Sequence, residues 1–254
     1  MSLRQASSVY SDPLKLLFIH LPKTGGESVA EALKAYDLRG VKHRTYREFA
    51  AYHGKDKVDR YFVASFVRNP WDQVLSFYSH LRKPAYMKKE DISPHPWYFS
   101  DGYHLFPLEP SRSACQVNFP EWVQRWYGEM PEREGPGFTE KLGLFFPRVR
   151  RKLDIRPRVH ETFKRQVHDE IPYFLPYLEW FKDYRGDLRT QFVGRFENLA
   201  GDFQKLAQQL GVDVELPHVN KSQRGDYRDH YDAKSRDIIA RYFDEEIRTF
   251  GYRF

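Results

Sequence analysis

Phe18-Ile-His-Leu-Pro-Lys-Thr-Gly-Gly-Glu-Ser28 joins the end of an apolar run to a turn that carries a lysine and two glycines, and then to the start of an amphipathic segment. Its chemistry is that of a phosphate cradle. Glycines let the backbone approach an anion closely, and the first N–H groups of a following helix point at that anion with the positive end of the helix dipole. Lys23 adds a full positive charge at the same place. Upstream, Leu14 to Leu21 is nearly continuous in Leu, Phe and Ile and stops at Pro22, the pattern of a strand buried on both faces. Downstream, a helix from about Gly26 to Tyr36 sets Val29, Ala32, Leu33 and Tyr36 on one side. Strand, glycine turn and helix together make a βα unit.

The unit recurs. Tyr61-Phe-Val-Ala-Ser-Phe-Val67 reads as a second buried strand and runs straight into Arg68-Asn-Pro-Trp-Asp72, where Asn69 is a helix cap and Pro70 suits the first turn. The helix so started carries Val74, Leu75, Phe77, Tyr78 and Leu81, with Ser76 within about two turns of its N-terminus. Gln191 to Phe196 is a third strand, and Leu199, Phe203, Leu206 and Leu210 form an apolar stripe that ends at Gly211, a helix stop. From Asp232, a cap candidate, to Ile247 the stripe of Ile238, Ile239, Tyr242, Phe243 and Ile247 predicts a terminal helix docked on the core.

The expected fold is therefore α/β, three layers around a central parallel sheet. One domain covers residues 1–254, with a core of about 14–82 and 188–254 and a mostly helical insert at about 83–187. The insert has helical patterns near Glu121 to Tyr127 and His160 to Ile171. Its aromatics, Trp97, Tyr98, Phe99, Tyr103, Trp122, Trp126 and Trp180, are expected to form a satellite core rather than a ligand platform.

Composition sets outer bounds. The 254 residues, 41% hydrophobic and 17% aromatic, suffice for one sizeable core despite a mean hydropathy of −0.73. No apolar run approaches the roughly 18 residues of a membrane span, and the first strand begins too early for a secretory signal, so a soluble, cytoplasmic protein without an integral membrane segment is expected. A single cysteine, Cys115, excludes an internal disulfide and a cysteine-based zinc site and reads as an inert thiol. No clustered metal-ligand pattern is visible, and no metal is expected. A net charge of +6 suits a polyanionic ligand, but 35 acidic residues interspersed among 41 basic ones do not imply nucleic acid. The densest basic stretch, Arg148-Val-Arg-Arg-Lys152 with Arg156 and Arg158 beyond it, reads as a solvated helix face, with a surface for an acidic acceptor as its sharper alternative.

The order of residues in the first turn separates it from the loop of nucleoside triphosphatases, where the Lys follows the glycine turn and a neighbouring Ser or Thr holds magnesium. Here the Lys comes first. Pro22-Lys-Thr-Gly-Gly-x-Ser28 resembles the 5′-phosphosulfate loop of sulfotransferases that use 3′-phosphoadenosine 5′-phosphosulfate (PAPS). Arg68-Asn-Pro-Trp-Asp-x-x-x-Ser76 resembles their 3′-phosphate site, in which the Arg and the Ser eight residues later bind the ribose phosphate. Two matches in the right order, each at a strand-to-helix junction, are far more specific than either alone. The resemblance is closest to the carbohydrate-type enzymes, the heparan sulfate 2-O group and its bacterial relatives. It extends less sharply to Val193–Leu199 and to the tail from His218 to Phe254, and it does not reach the insert.

The resemblance implies the P-loop-like sulfotransferase fold, PAPS as donor with 3′,5′-diphosphoadenosine (PAP) as product, and a hydroxyl acceptor: a carbohydrate, a glycolipid or a small metabolite. It assigns cofactor binding to Lys23, Thr24, Gly25, Gly26, Glu27 and Ser28 of the loop, to Arg68 and Ser76, and to Ser222 and Arg224 of the polar stretch Asn220-Lys-Ser-Gln-Arg224. The chemistry agrees: sulfuryl transfer needs in-line approach, stabilisation of the leaving phosphate oxygen, and a base for the hydroxyl proton. Lys23 is expected to supply the second, and a histidine the third. His43, in Val41-Lys-His-Arg-Thr45, stands in the segment where related enzymes place a catalytic histidine, and imidazole titrates in the range the task needs. His20, at the end of the first strand, is the runner-up, and His53, His95, His104 and His160 have no assigned role.

Three positions carry an open choice. Arg68 either pairs with Asp72 as a buried ion pair or presents its fork to phosphate, and its place at the end of a parallel strand favours phosphate. Trp71 reads as core rather than as an adenine platform. Glu27 stands where family loops often carry Thr; it either faces and repels the phosphosulfate or serves as a first-turn acid favoured by the helix dipole, the expected case. Two other functions share the scaffold: a kinase that needs ATP and magnesium, and a binding protein that kept the pocket and lost the base.

Overall fold

The chain enters its sheet with β1 (Val9–Ser11), turns back along β2 (Leu16–Ile19) and passes through the glycine loop into α1 (Gly26–Ala32). Then come α2 (Tyr46–His53), α3 (Lys55–Val58), β3 (Phe62–Val67) and α4 (Pro70–Leu81). The insert contributes a hairpin of β4 (Trp97–Ser100) and β5 (His104–Pro107), then α5 (Phe119–Tyr127) and α6 (Tyr177–Phe181). The chain returns through β6 (Phe192–Arg195) and closes with α7 (Leu199–Leu210), α8 (Ala233–Tyr242) and α9 (Asp244–Phe250). This computed structural model describes residues 9–40, 43–82, 113–128, 176–217 and 225–254, and the backbone of 97–100 and 104–107.

The sheet order is β1-β2-β3-β6. β2, β3 and β6 run parallel, with Ile19 opposite Ser65 and Val67 opposite Arg195, while β1 pairs antiparallel along the outer edge of β2. The α/β architecture expected from the βα pattern is present, with the antiparallel edge strand as an addition. Strand alternation sorts the core into two layers. Leu16, Phe18, Ala64 and Phe66 face Val29, Leu33, Phe203 and Leu206 of the α1 and α7 side. Leu17, Ile19, Val63 and Val67 face the α4 side, where Val74, Phe77 and Leu81 are buried. Burying both faces is what makes these strands read as unbroken apolar runs.

Local signals account for the helix ends. Asn69 caps α4 by accepting the Trp71 N–H, with Pro70 at the first position; Asn118 caps α5 by accepting the Glu121 N–H, with Pro120 at the second. Gly211 ends α7 in the left-handed conformation at φ 67. The expected helix to Tyr36 stops sooner, at Ala32, and a 3₁₀ turn over Lys34–Tyr36 takes its place. The tail from Asp232 is two helices rather than one. Asp232 and Ser235 form a capping box at the start of α8, and the bend falls at Phe243, whose ring is 2% exposed and packs on Tyr177 and Tyr127.

In the insert, Trp122 and Trp180 are buried in the α4-side core itself rather than in a satellite, and Trp126 packs against it. Trp71 is 4% exposed and its Nε1 donates to the Arg236 carbonyl at 3.0 Å, a core position. The helical pattern at His160 to Ile171, the basic stretch from Arg148 to Arg158, Tyr103, His95 and His160 lie outside the described residues, as do the side chains of Trp97, Tyr98, Phe99 and His104. Cys115 is exposed. Among the described residues no helix is long and apolar enough to cross a membrane, and no group of three or more His, Cys, Asp or Glu is placed to hold a metal ion.

Candidate active site

Parallel pairing brings the ends of β2 and β3 side by side, so the two strand-to-helix junctions open on one edge of the sheet. The first is the loop from His20 to Gly25. Lys23 sits at φ 64 and Gly25 at φ 84, both left-handed, which turns the chain sharply enough for α1 to start at Gly26. The left-handed region costs a residue with a Cβ about 1–2 kcal/mol, so Lys23 is held there by its surroundings. Those surroundings are three successive carbonyls, each with a donor. Thr24 Oγ1 donates to Leu21 O at 3.0 Å, Gln73 Nε2 to Pro22 O at 2.9 Å, and Arg68 Nη1 to Lys23 O at 3.1 Å.

The N–H groups of Thr24, Gly25 and Gly26 have no protein acceptor among the described residues. Ser28, in the first turn of α1, is 2% exposed, and its Oγ has no hydrogen-bond partner among them either. A buried hydroxyl left unsatisfied costs about 1–3 kcal/mol. Glu27 is exposed in that same first turn, as a helix-dipole acid would be.

The second junction is Arg68, whose side chain is 7% exposed. Its Nε and Nη2 both donate to Asp72 Oδ2, at 2.8 and 2.5 Å, and its guanidinium lies 3.9 Å from the centre of the Phe196 ring. The ion pair raised as an alternative is thus present. Guanidinium has five N–H donors, so the three bonds above leave the fork further donors for an anion. Tyr177 Oη donates to the Arg68 carbonyl at 2.9 Å, and burial holds that phenol well above its ordinary range, keeping it a donor. Glu197 Oε1 accepts the Asn69 N–H at 2.6 Å, and the Asn69 side chain donates to the Arg253 carbonyl at 2.8 Å, so the 3₁₀ turn after β6 and the C-terminal tail both close on this junction. Ser76 is buried at 6% exposure in the second turn of α4, with no hydrogen bond to its hydroxyl among the described residues.

His43 approaches from the segment before α2. It stands at φ 62, and its Nδ1 is 2.9 Å from the His20 carbonyl. A carbonyl only accepts, so Nδ1 carries the proton and the lone pair of the neutral ring is on Nε2. The His20 ring, 3% exposed, lies 4.7 Å from the His43 ring and rests on Gly26, where an added Cβ would come within 2.1 Å of His20 Cδ2. That close approach is why the second glycine of the loop has no side chain. Thr45 then starts α2 with a capping box to Glu48, which fixes the chain two residues beyond His43.

The structure therefore brings Lys23, Thr24, Gly25, Gly26, Ser28, Arg68 and His43 to one edge of the sheet. Ser222 and Arg224 lie outside the described residues, although Tyr227, just beyond them, accepts from Asn69 Nδ2 at 3.3 Å. Sequence reasoning did not single out Gln73, Phe196 or Glu197. Phe196 and Glu197 lie in the Val193–Leu199 stretch that the resemblance reached, and Asp72 was marked by its i, i+4 spacing from Arg68.

Searches of curated proteins and of solved structures returned no match. A family model described as the sulfotransferase family matches residues 7–253. That span takes in both junctions, the His43 segment and the tail that closes on Asn69, and the chain belongs to the sulfotransferase family.

Proposed function

We propose that this sulfotransferase takes its sulfuryl group from PAPS and delivers it to a hydroxyl of a carbohydrate or glycoconjugate, with His43 as general base. The observation that carries the donor assignment is the buried Ser28 Oγ, which has no hydrogen-bond partner among the described residues, in a loop whose Thr24, Gly25 and Gly26 N–H groups have no protein acceptor among them either. That donor set fits the 5′-phosphate end of the nucleotide, and Arg68 with Ser76 fits a second phosphate at the neighbouring strand end. When bound, PAPS supplies the sulfuryl group and a phosphate leaving group.

The chain's own residues do the rest. Lys23 places its charge where negative charge builds on the leaving oxygen, and Thr24 and Ser28 add hydroxyls there. His43 takes the acceptor proton at Nε2, its ring held by the Nδ1–H bond to the His20 carbonyl. The Arg68 fork and Ser76 hold the 3′-phosphate, with Ser222 and Arg224 as further contributors and Glu27 directed away from the phosphates. A single domain with an insert at about 83–187, in a cytoplasmic setting, completes the proposal.

The test starts with ligand binding. PAP at about 100 times its dissociation constant should stabilise the protein by about 2.7 kcal/mol, or roughly 5–10 °C in Tm. Sulfur-labelled PAPS should then label members of a panel of saccharide acceptors, and His43→Ala should abolish labelling while leaving PAP binding intact. Stabilisation by ATP–Mg and not by PAP would replace the donor assignment with a kinase. PAP binding without transfer to any acceptor, together with an inert His43→Ala, would leave a binding protein.

A further inference from the structure

Gln73 is buried at 8% exposure in the first turn of α4, and its Nε2 donates to the Pro22 carbonyl at 2.9 Å across 51 residues of sequence. Next to it, Arg68 holds the Lys23 carbonyl at 3.1 Å. A trans peptide unit is planar with its C=O and N–H pointing in opposite directions. Pinning the Pro22 and Lys23 carbonyls onto the β3–α4 junction therefore turns the Lys23 and Thr24 N–H groups away from it. The same two bonds oppose relaxation of Lys23 from its left-handed φ of 64. Because one donor comes from Arg68 and the other from the next helix turn, the two halves of the site are mechanically joined.

We propose that Gln73 is a positioning residue that aims the loop amides and Lys23 at the 5′-phosphate end of the nucleotide, acting through the Pro22 carbonyl and touching no ligand itself. The proposal rests on the PAPS reading. It predicts a split by ligand end: Gln73 governs binding of the 5′-phosphate and is indifferent to the 3′-phosphate, although its own helix also carries Ser76 of the 3′-phosphate site.

Titration calorimetry with PAP, 5′-AMP and 3′-AMP reads the split directly. Gln73→Met keeps length and burial but donates nothing; it should weaken PAP and 5′-AMP about five- to tenfold and leave 3′-AMP within about twofold. Gln73→Lys, which restores a donor, should recover most of the loss, and it keeps the test usable if the Met variant fails to fold. Unchanged 5′-AMP binding in Gln73→Met, or an equal loss for all three ligands, would overturn the positioning role while the PAPS reading stood. Failure of the wild-type protein to bind PAP would bring down both.

Discussion

Arg68 holds a structural ion pair and stands where the nucleotide's 3′-phosphate is proposed to bind, and one pair of substitutions separates the two roles. Arg68→Met alone leaves the Asp72 carboxylate without its partner. Breaking a buried ion pair costs about 3–5 kcal/mol, and since the Asp72 side chain is 24% exposed and partly solvated, the low end applies. A loss of about 3 kcal/mol lowers Tm by roughly 6–12 °C in a chain of this size. Adding Asp72→Asn removes the stranded charge. The double variant should regain about half of the loss, the remainder being the Lys23 carbonyl bond and the contact with Phe196.

Ligand affinity should not follow that recovery. A hydrogen bond from a charged group contributes about 1.5–3 kcal/mol, so PAP should bind about 10- to 150-fold more weakly to the single and the double variant alike. Asp72→Asn alone, with the fork intact, should retain PAP binding. Thermal unfolding and calorimetric titration of all four proteins give the comparison. Wild-type PAP affinity in the double variant would show that Arg68 serves the fold only and would refute the phosphate assignment.

Ser28→Ala removes a buried hydroxyl that has no partner among the described residues, so it should raise the stability of the free protein by about 1 kcal/mol while weakening PAP binding; unchanged PAP affinity in differential scanning and titration would sink the ligand-contact reading. Gly26→Ala would put a Cβ 2.1 Å from His20 Cδ2, so the ring must shift; a destabilisation of about 1–3 kcal/mol and a fall in sulfate transfer are expected, and a variant with wild-type Tm and turnover would contradict the packing argument. Burial first, and then the Lys57 charge, lower the His53 pKa from 6.5 to about 4. The unfolded chain therefore gains this proton first on acidification: stability is intact above pH 6.5, falls between 6.5 and 4, and is level below. Solvent access reduces the loss to about 1 kcal/mol, and His53→Phe should flatten this part of the Tm–pH profile; an equally steep profile in that variant would assign the slope elsewhere.

Much of the fold was legible because its signals are local. Strands buried on both faces announce themselves as apolar runs, and Asn69, Pro70, Gly211 and Asp232 mark helix ends with chemistry that acts within one turn. What escaped was non-local. β1 is three residues long and becomes a strand only by pairing with β2. The bend at Phe243 is set by where its ring is buried, against Tyr177 and Tyr127, which are distant in sequence. Trp122 joined the main core because Phe77 and Tyr78 of α4 offered it an aromatic face, a fact that no periodicity within the insert records.

The same division runs through the site. By itself the sequence determined the βα units, the order of Lys before Gly-Gly, and the Arg68 and Ser76 spacing, since each is a matter of residue type at fixed short separation. Only the tertiary structure decided that Arg68 pairs with Asp72 while also holding Lys23, that Gln73 holds Pro22, and that His43 is oriented by the backbone of His20. Hydrogen bonds from side chains to carbonyls tens of residues away have no sequence signature, because every residue offers the same carbonyl. Which one is met depends on how strands, helices and loops are placed against one another.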